Sequence, residues 1–173
     1  MSNTYFLDIM HRMQSGSSPI GLRSTIGVSV YRDTIQIMAD SPAIDMIQWQ
    51  GRHYDGNDMW ESAQPTRLYI NTSGLWRITA TLATYQDVHW HRPSIHKNGV
   101  KVAVYEFDQM EEWPITLSVS IVLRLTAGPT KYTGDYIECG LEFNATGSNR
   151  GAGGIGFSAN VGGTTLYMER ISD

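Results

Sequence analysis

From Gly27 onward apolar and polar residues alternate in short runs divided by turn-forming residues, the period of two expected of strands with one covered face. The clearest run spans 75–85, where Trp76, Ile78, Ala80, Leu82 and Thr84 take one side and Arg77, Thr79, Thr81 and Ala83 the other. Residues 116–125 repeat the pattern, with Leu117, Val119, Ile121, Leu123 and Leu125 opposite Thr116, Ser118, Ser120, Val122 and Arg124. Residues 27–31 also alternate. Residues 44–50 set Ile44, Met46 and Gln48 against Asp45, Ile47 and Trp49, which predicts a strand covered on both faces. Asn98-Gly99, between Ile95 and the run 100–107, predicts a hairpin, because both central residues of a type I′ turn need positive φ. With 68–70, 136–144 and 164–171 the chain offers eight to ten strands and no helical run between them. The fold class expected is all-β, an antiparallel jelly-roll sandwich.

The first residues follow another period. Tyr5, Phe6, Ile9, Met10 and Met13 recur at three- and four-residue spacing, and Ser15-Gly16-Ser17-Ser18-Pro19 breaks the pattern. This predicts a short amphipathic helix or hook, so the chain divides into an N-terminal docking arm, 1–26, and a jelly-roll domain, 27–173.

Composition narrows the partners. Across 173 residues, 13 Lys and Arg against 17 Asp and Glu give a net charge of −4 with the signs interspersed. That leaves no basic footprint for nucleic acid or an anionic membrane surface. The longest apolar stretches are strand-sized, so no membrane partner and a soluble chain are expected. Asp8 interrupts what a secretory leader would need as an apolar core, so export by such a leader is not expected. The single cysteine, Cys139, excludes an intrachain disulfide framework, a Cys-rich zinc site and an iron–sulfur cluster held by this chain alone. On an alternating strand it reads as a buried small hydrophobe.

The segment from Tyr54-Asp55 through Met59-Trp60 to Pro65-Thr66-Arg67-Leu68, followed by Gly74-Leu75-Trp76-Arg77-Ile78-Thr79-Ala80, resembles the tumour necrosis factor-like jelly roll shared with the complement globular head, in the version found on tailed-bacteriophage virions. Ile95-His96-Lys97-Asn98-Gly99, residues 117–127 and Gly134-Asp135-Tyr136-Ile137-Glu138 continue the likeness in the same order. It covers about residues 28–172. Trp76 stands where the family pattern has Tyr, and residues 129–134 lengthen a loop that is usually a direct Gly-Asp. The resemblance implies a homotrimer. The aromatics, including Trp49, Trp60, Trp76, Trp90, Trp113 and several Tyr, exceed what one core needs, so some are expected in a subunit interface.

Candidate chemistry is sparse. His89 and His91, near His96, form the one metal-like arrangement, two imidazoles on one strand face that three chains could gather at an axis; no metal is assigned on that basis. Asp55, Asp58 and Glu61, and Asp108, Glu111 and Glu112, read as solvated or capping carboxylates. No nucleophile elbow or zinc-protease motif occurs, and Gly151-Ala152-Gly153-Gly154 lacks the Lys-Ser/Thr of a phosphate loop. Neither catalysis nor a cofactor is expected, and the Gly-rich stretch 145–156 reads as a surface loop.

The expected function is that of a non-enzymatic virion-surface protein. The trimeric jelly roll would be fastened through Tyr5, Phe6, Ile9, Met10 and Met13 to other virion proteins, the major capsid protein or tail and fibre proteins. With only about 25 residues ahead of the sandwich, enough for a clamp and not for a shaft, capsid decoration (cement) is the first reading. The alternative is a tail or head fibre tip that binds a host receptor or surface glycan, with Trp60, Trp90 and Trp113 as the recognition surface.

Overall fold

Alternation in the sequence becomes two faces of a sandwich. The computed structural model describes residues 26–33, 36, 44–84, 90–106, 115–144 and 164–173, without the side chains of 84, 90, 91, 115, 143 and 144. Ten strands form among them: β1 (Gly27–Arg32), β2 (Asp45–Met46), β3 (Gly51–Asp55), β4 (Leu68–Tyr69), β5 (Gly74–Thr84), β6 (Trp90–Lys97), β7 (Val100–Val104), β8 (Ile115–Leu125), β9 (Tyr136–Asn144) and β10 (Thr164–Ser172). The first sheet has the order β3-β1-β10-β5-β8 and the second β2-β9-β6-β7, with β4 also paired to β9. All the pairings are antiparallel.

Register fixes which side chains meet. In the first sheet Val28, Met168, Ile78 and Ile121 lie in one cross-strand row, and Val30, Leu166, Ala80 and Val119 in another. Both rows face inward, and all but the partly buried Ile121 belong to the core. The second sheet answers with Ile95, Ile137, Cys139 and Leu141, all fully buried. A slip of one residue in β5 would turn Trp76, Ile78, Ala80 and Leu82 to the outside, which is why this register is held. Truncating any of the large members, such as Ile78→Ala, should cost roughly 2–5 kcal/mol.

The Asn98-Gly99 hairpin is present as expected, with φ of 54° and 77° at its two central residues. Residues 44–50, predicted as one strand, form β2 over only two residues. The backbone hydrogen bonds give the reason. Ile47 N–H donates to the Cys139 carbonyl of the second sheet, whereas Gln50 N–H donates to the Tyr31 carbonyl of the first. This segment crosses between the sheets, burying Ile47 and Trp49 as it goes.

Candidate functional site

The motifs that carry the family likeness meet in space, and their polar residues hold the fold together. Asp55 accepts from the Met59 and Trp60 N–H groups at 2.8 and 3.1 Å and takes Arg52 at 3.2 Å, shaping the turn that delivers Met59 and Trp60 to the core. Asp135 accepts from the Thr126 N–H at 2.7 Å, Asn98 Nδ2 at 2.7 Å and Lys97 Nζ at 2.9 Å, joining the β6–β7 turn to the loop between β8 and β9. Burial pushes the Asp135 carboxyl upward, but these donors outweigh it and leave the pKa below the usual carboxylate value. Glu138 accepts from Thr66 Oγ1 at 2.9 Å and Arg67 Nε at 3.1 Å. Asp55, Asp135 and Glu138 are therefore structural, with their acceptor capacity taken by the chain itself.

The outward faces of the two sheets differ. On the second sheet, Ser94, His96, Glu138 and Gly140 point away from the core yet are all buried. The Ser94 hydroxyl donates to the Gly140 carbonyl at 3.3 Å and lies 2.9 Å from His96 Nε2. Ile44 and Met46 pack over Gly140 so closely that a Cβ there would lie 2.6 Å from Ile44 Cγ2. Burial lowers the His96 pKa, which keeps the ring neutral at pH 7.

On the first sheet the outward face is open. Tyr54, Ser29, Tyr167, Thr79 and Ser120 form one cross-strand row, with Tyr54 47% and Tyr167 40% exposed. The next row brings Glu169, Arg77 and the exposed Val122 together. The polar groups of this face bond to one another: Arg77 to Glu169 at 2.8 Å, Tyr167 Oη to Glu169 at 3.0 Å, Ser120 to Thr79 at 2.9 Å and Thr81 to Ser118 at 3.2 Å. Burial, seconded by the bond to Glu169, raises the Tyr167 phenol to about 12. The face thus carries tyrosines and a valine over a hydroxyl-rich field in which Arg77 and Glu169 neutralise each other.

A third feature is a cleft of about 280 Å³ lined by Arg52, Asp58, Trp60, Glu61 and Ser62. Lys131 and Tyr132, from the lengthened loop, reach its carboxylates: Lys131 Nζ lies 3.2 Å from Asp58 Oδ2, and Tyr132 Oη donates to Glu61 Oε2 at 3.0 Å.

The candidate residues read from the sequence fall as follows. Trp60 is only 8% exposed, its indole N–H donating to the Pro65 carbonyl at 3.3 Å, so it is a core residue that also lines the cleft. Trp49 and Trp76 are core residues too. Trp90 and His91 belong to β6, but their side chains lie outside the description. His89, Trp113 and the arm residues Tyr5, Phe6, Ile9, Met10 and Met13 lie outside the described residues altogether, as do Asp108, Glu111 and Glu112. His96 is bonded to Ser94 and buried, which removes it from any exposed imidazole cluster. Among the described residues no group of three His, Cys, Asp or Glu is gathered for a metal. Cys139 is fully buried, its thiol pushed up to about 12 by burial. The surface tyrosines Tyr54, Tyr132 and Tyr167 are the residues that sequence reasoning missed. For Tyr167 the signal was there: it alternates with Leu166 and Met168 and so belongs to the polar side of its strand.

No family model and no curated protein matches this sequence. Solved structures do match in fold. The crystal structure of murine APRIL at pH 5.0 superposes with a TM-score of 0.61 at 12% identity, over 86% of this chain and 100% of that one. The globular domain of zebrafish complement 1qA protein gives 0.54 at 14% identity, over 84% and 96%. The fold is the tumour necrosis factor-like, complement globular-head-like jelly roll.

Proposed function

We propose that this chain is a non-enzymatic structural protein of a tailed-bacteriophage virion, a homotrimer of jelly rolls attached by its N-terminal arm as a capsid decoration protein. The observation that carries the homotrimer is the contrast between the sheets: one outward face is covered by the chain itself, whereas the other leaves Tyr54, Tyr167 and Val122 at the surface. Tyrosines are favoured at subunit interfaces, since they bring large contact area with a polar tip. Arg77 and Glu169 are paired within the chain, so that row presents a second copy with balanced charge.

The virion assignment draws on the motif resemblance, and attachment on the apolar spacing of Tyr5, Phe6, Ile9, Met10 and Met13. The non-enzymatic reading draws on the sequence, which carries no nucleophile elbow, zinc-protease motif or phosphate loop. The alternative, a fibre tip that binds a host receptor or glycan, draws on the cleft beside Asp58. Deleting residues 2–23 tests the arm. The truncated protein should keep the wild-type oligomeric mass but no longer co-sediment with phage particles assembled without their own copy. Retained incorporation would overturn the attachment role.

A further inference from the structure

We infer that the cleft lined by Arg52, Asp58, Trp60, Glu61 and Ser62, with Lys131 and Tyr132 on its rim, is a binding site for a neutral sugar. The ligand class follows from charge. Both cations are already engaged by carboxylates: Lys131 lies 3.2 Å from Asp58 and 3.9 Å from Glu61, and Arg52 lies 3.2 Å from Asp55 and 3.9 Å from Asp58. No positive excess remains to attract phosphate, sulfate or an acidic sugar. What the cleft offers instead is a mixed set of donors and acceptors beside an aromatic ring, the combination that recognises a ring of hydroxyls with an apolar face.

Acceptor capacity is available. The Asp58 side chain is 77% exposed, and its Oδ1 sits beyond hydrogen-bond range of Arg52. The contrast with Asp135, whose oxygens receive three donors from the chain itself, marks Asp58 as a carboxylate with bonding left to give. Tyr132 is 57% exposed, and it is held in place on two sides: its hydroxyl by Glu61 and its ring by a perpendicular contact with Tyr69, centroids 5.2 Å apart.

The loop that carries Lys131 and Tyr132 is built before any ligand arrives. Asp135 N–H donates to the Thr126 carbonyl at 2.8 Å and Thr133 N–H to the Thr130 carbonyl at 3.2 Å, while Thr130 N–H donates to Thr133 Oγ1 at 3.1 Å. At its base Gly128 and Gly134 pack backbone to backbone; a Cβ on Gly134 would lie 2.5 Å from the Gly128 nitrogen. A pre-ordered rim lowers the entropic cost of binding. The cleft, at about 280 Å³, falls just under the range of about 300–1,000 Å³ common for drug-sized ligands, which suits a single sugar ring. Weak sites of this size become effective through several copies in one particle.

This proposal rests on the alternative reading and names the ligand class of its cleft, and it is separable from any placement on a virion, since sugar binding by the isolated full-length protein does not depend on where the protein sits. Saturation-transfer NMR with the methyl glycosides of glucose, galactose, mannose and N-acetylglucosamine tests it, with N-acetylneuraminic acid as the anionic comparator. At least one neutral glycoside should show transfer, weakened about tenfold in affinity by Tyr132→Ala and at least about twofold by Asp58→Asn, with Tyr105→Ala unchanged as the control for an exposed tyrosine elsewhere. Asp58→Asn keeps the test open if Tyr132→Ala disturbs the loop. No transfer from any neutral glycoside, transfer that survives both variants, or preference for the anionic sugar would each overturn the proposal.

Discussion

The two sheets are built on one principle and finished differently. Each turns an apolar row inward, but the second sheet covers the middle of its outward face with its own chain, through Ile44, Met46, Thr66 and Arg67, while the first leaves a field of hydroxyls and tyrosines uncovered. The covered face has buried polar residues, Ser94, His96 and Glu138, and the Ser94 hydroxyl, His96 Nε2 and Glu138 Oε1 find partners within the chain, whereas His96 Nδ1 is buried without one. The open face has polar groups that already bond to each other and apolar area that water must still cover. A polar outward row is thus a stability element on one sheet and a contact surface on the other.

Substitutions can separate these roles. The largest effect is expected at the clamp that closes the end of the second sheet: Asp135→Ala strips acceptors from Asn98, Lys97 and the Thr126 N–H, and should lower unfolding free energy by about 2–4 kcal/mol in a denaturant titration. Glu138→Ala should cost less, about 1–2 kcal/mol, because its partner Arg67 is 39% exposed and water takes over part of the lost interaction.

Acid should weaken the fold in two stages. Burial, joined by Lys101 and opposed by Glu138, Glu142 and the Gly99 backbone, holds His96 below its usual 6.5. The unfolded chain then takes up a proton that the native state refuses, so stability held above pH 6.5 declines as pH falls toward the native value. Asp135 is depressed below 3.8, so its contribution persists above that pH and is lost as pH falls through the native value. Unfolding free energy measured against pH should lose the first stage in His96→Gln and the second in Asp135→Asn. On the open face, Tyr167→Glu removes the bond to Glu169 and sets a second carboxylate beside it where two copies would meet, and should lower the stability of the folded chain by about 1 kcal/mol.

Legibility followed how one-sided each element is. Strands β5 and β8 alternate between a covered and an open side, and that alternation placed Trp76, Ile78, Ala80, Leu82, Leu117, Val119 and Leu125 inward as found, while Ala83, set on the open side, is buried. Strand β3, Gly-Arg-His-Tyr-Asp, sits at a sheet edge with no apolar alternation and gave no strand signal. Residues 44–50 looked two-faced because they pass from one sheet to the other, a tertiary event that no local period encodes. Composition records aromatic area without saying whether it faces a core or a neighbour, and Trp49, Trp60 and Trp76 turn inward while Tyr54 and Tyr167 stay at the surface. The cleft was invisible because Arg52, Asp58 and Glu61 meet Lys131 and Tyr132 across some 70 residues of chain.

The central claim, that the open face of the first sheet joins copies of this chain, is tested most directly by light scattering on the purified full-length protein at micromolar concentration. The account predicts a mass three times the 19.3 kDa of one chain, falling toward a single chain in Tyr167→Glu with the fold retained. A monomeric wild type, or a trimer untouched by Tyr167→Glu, would contradict it.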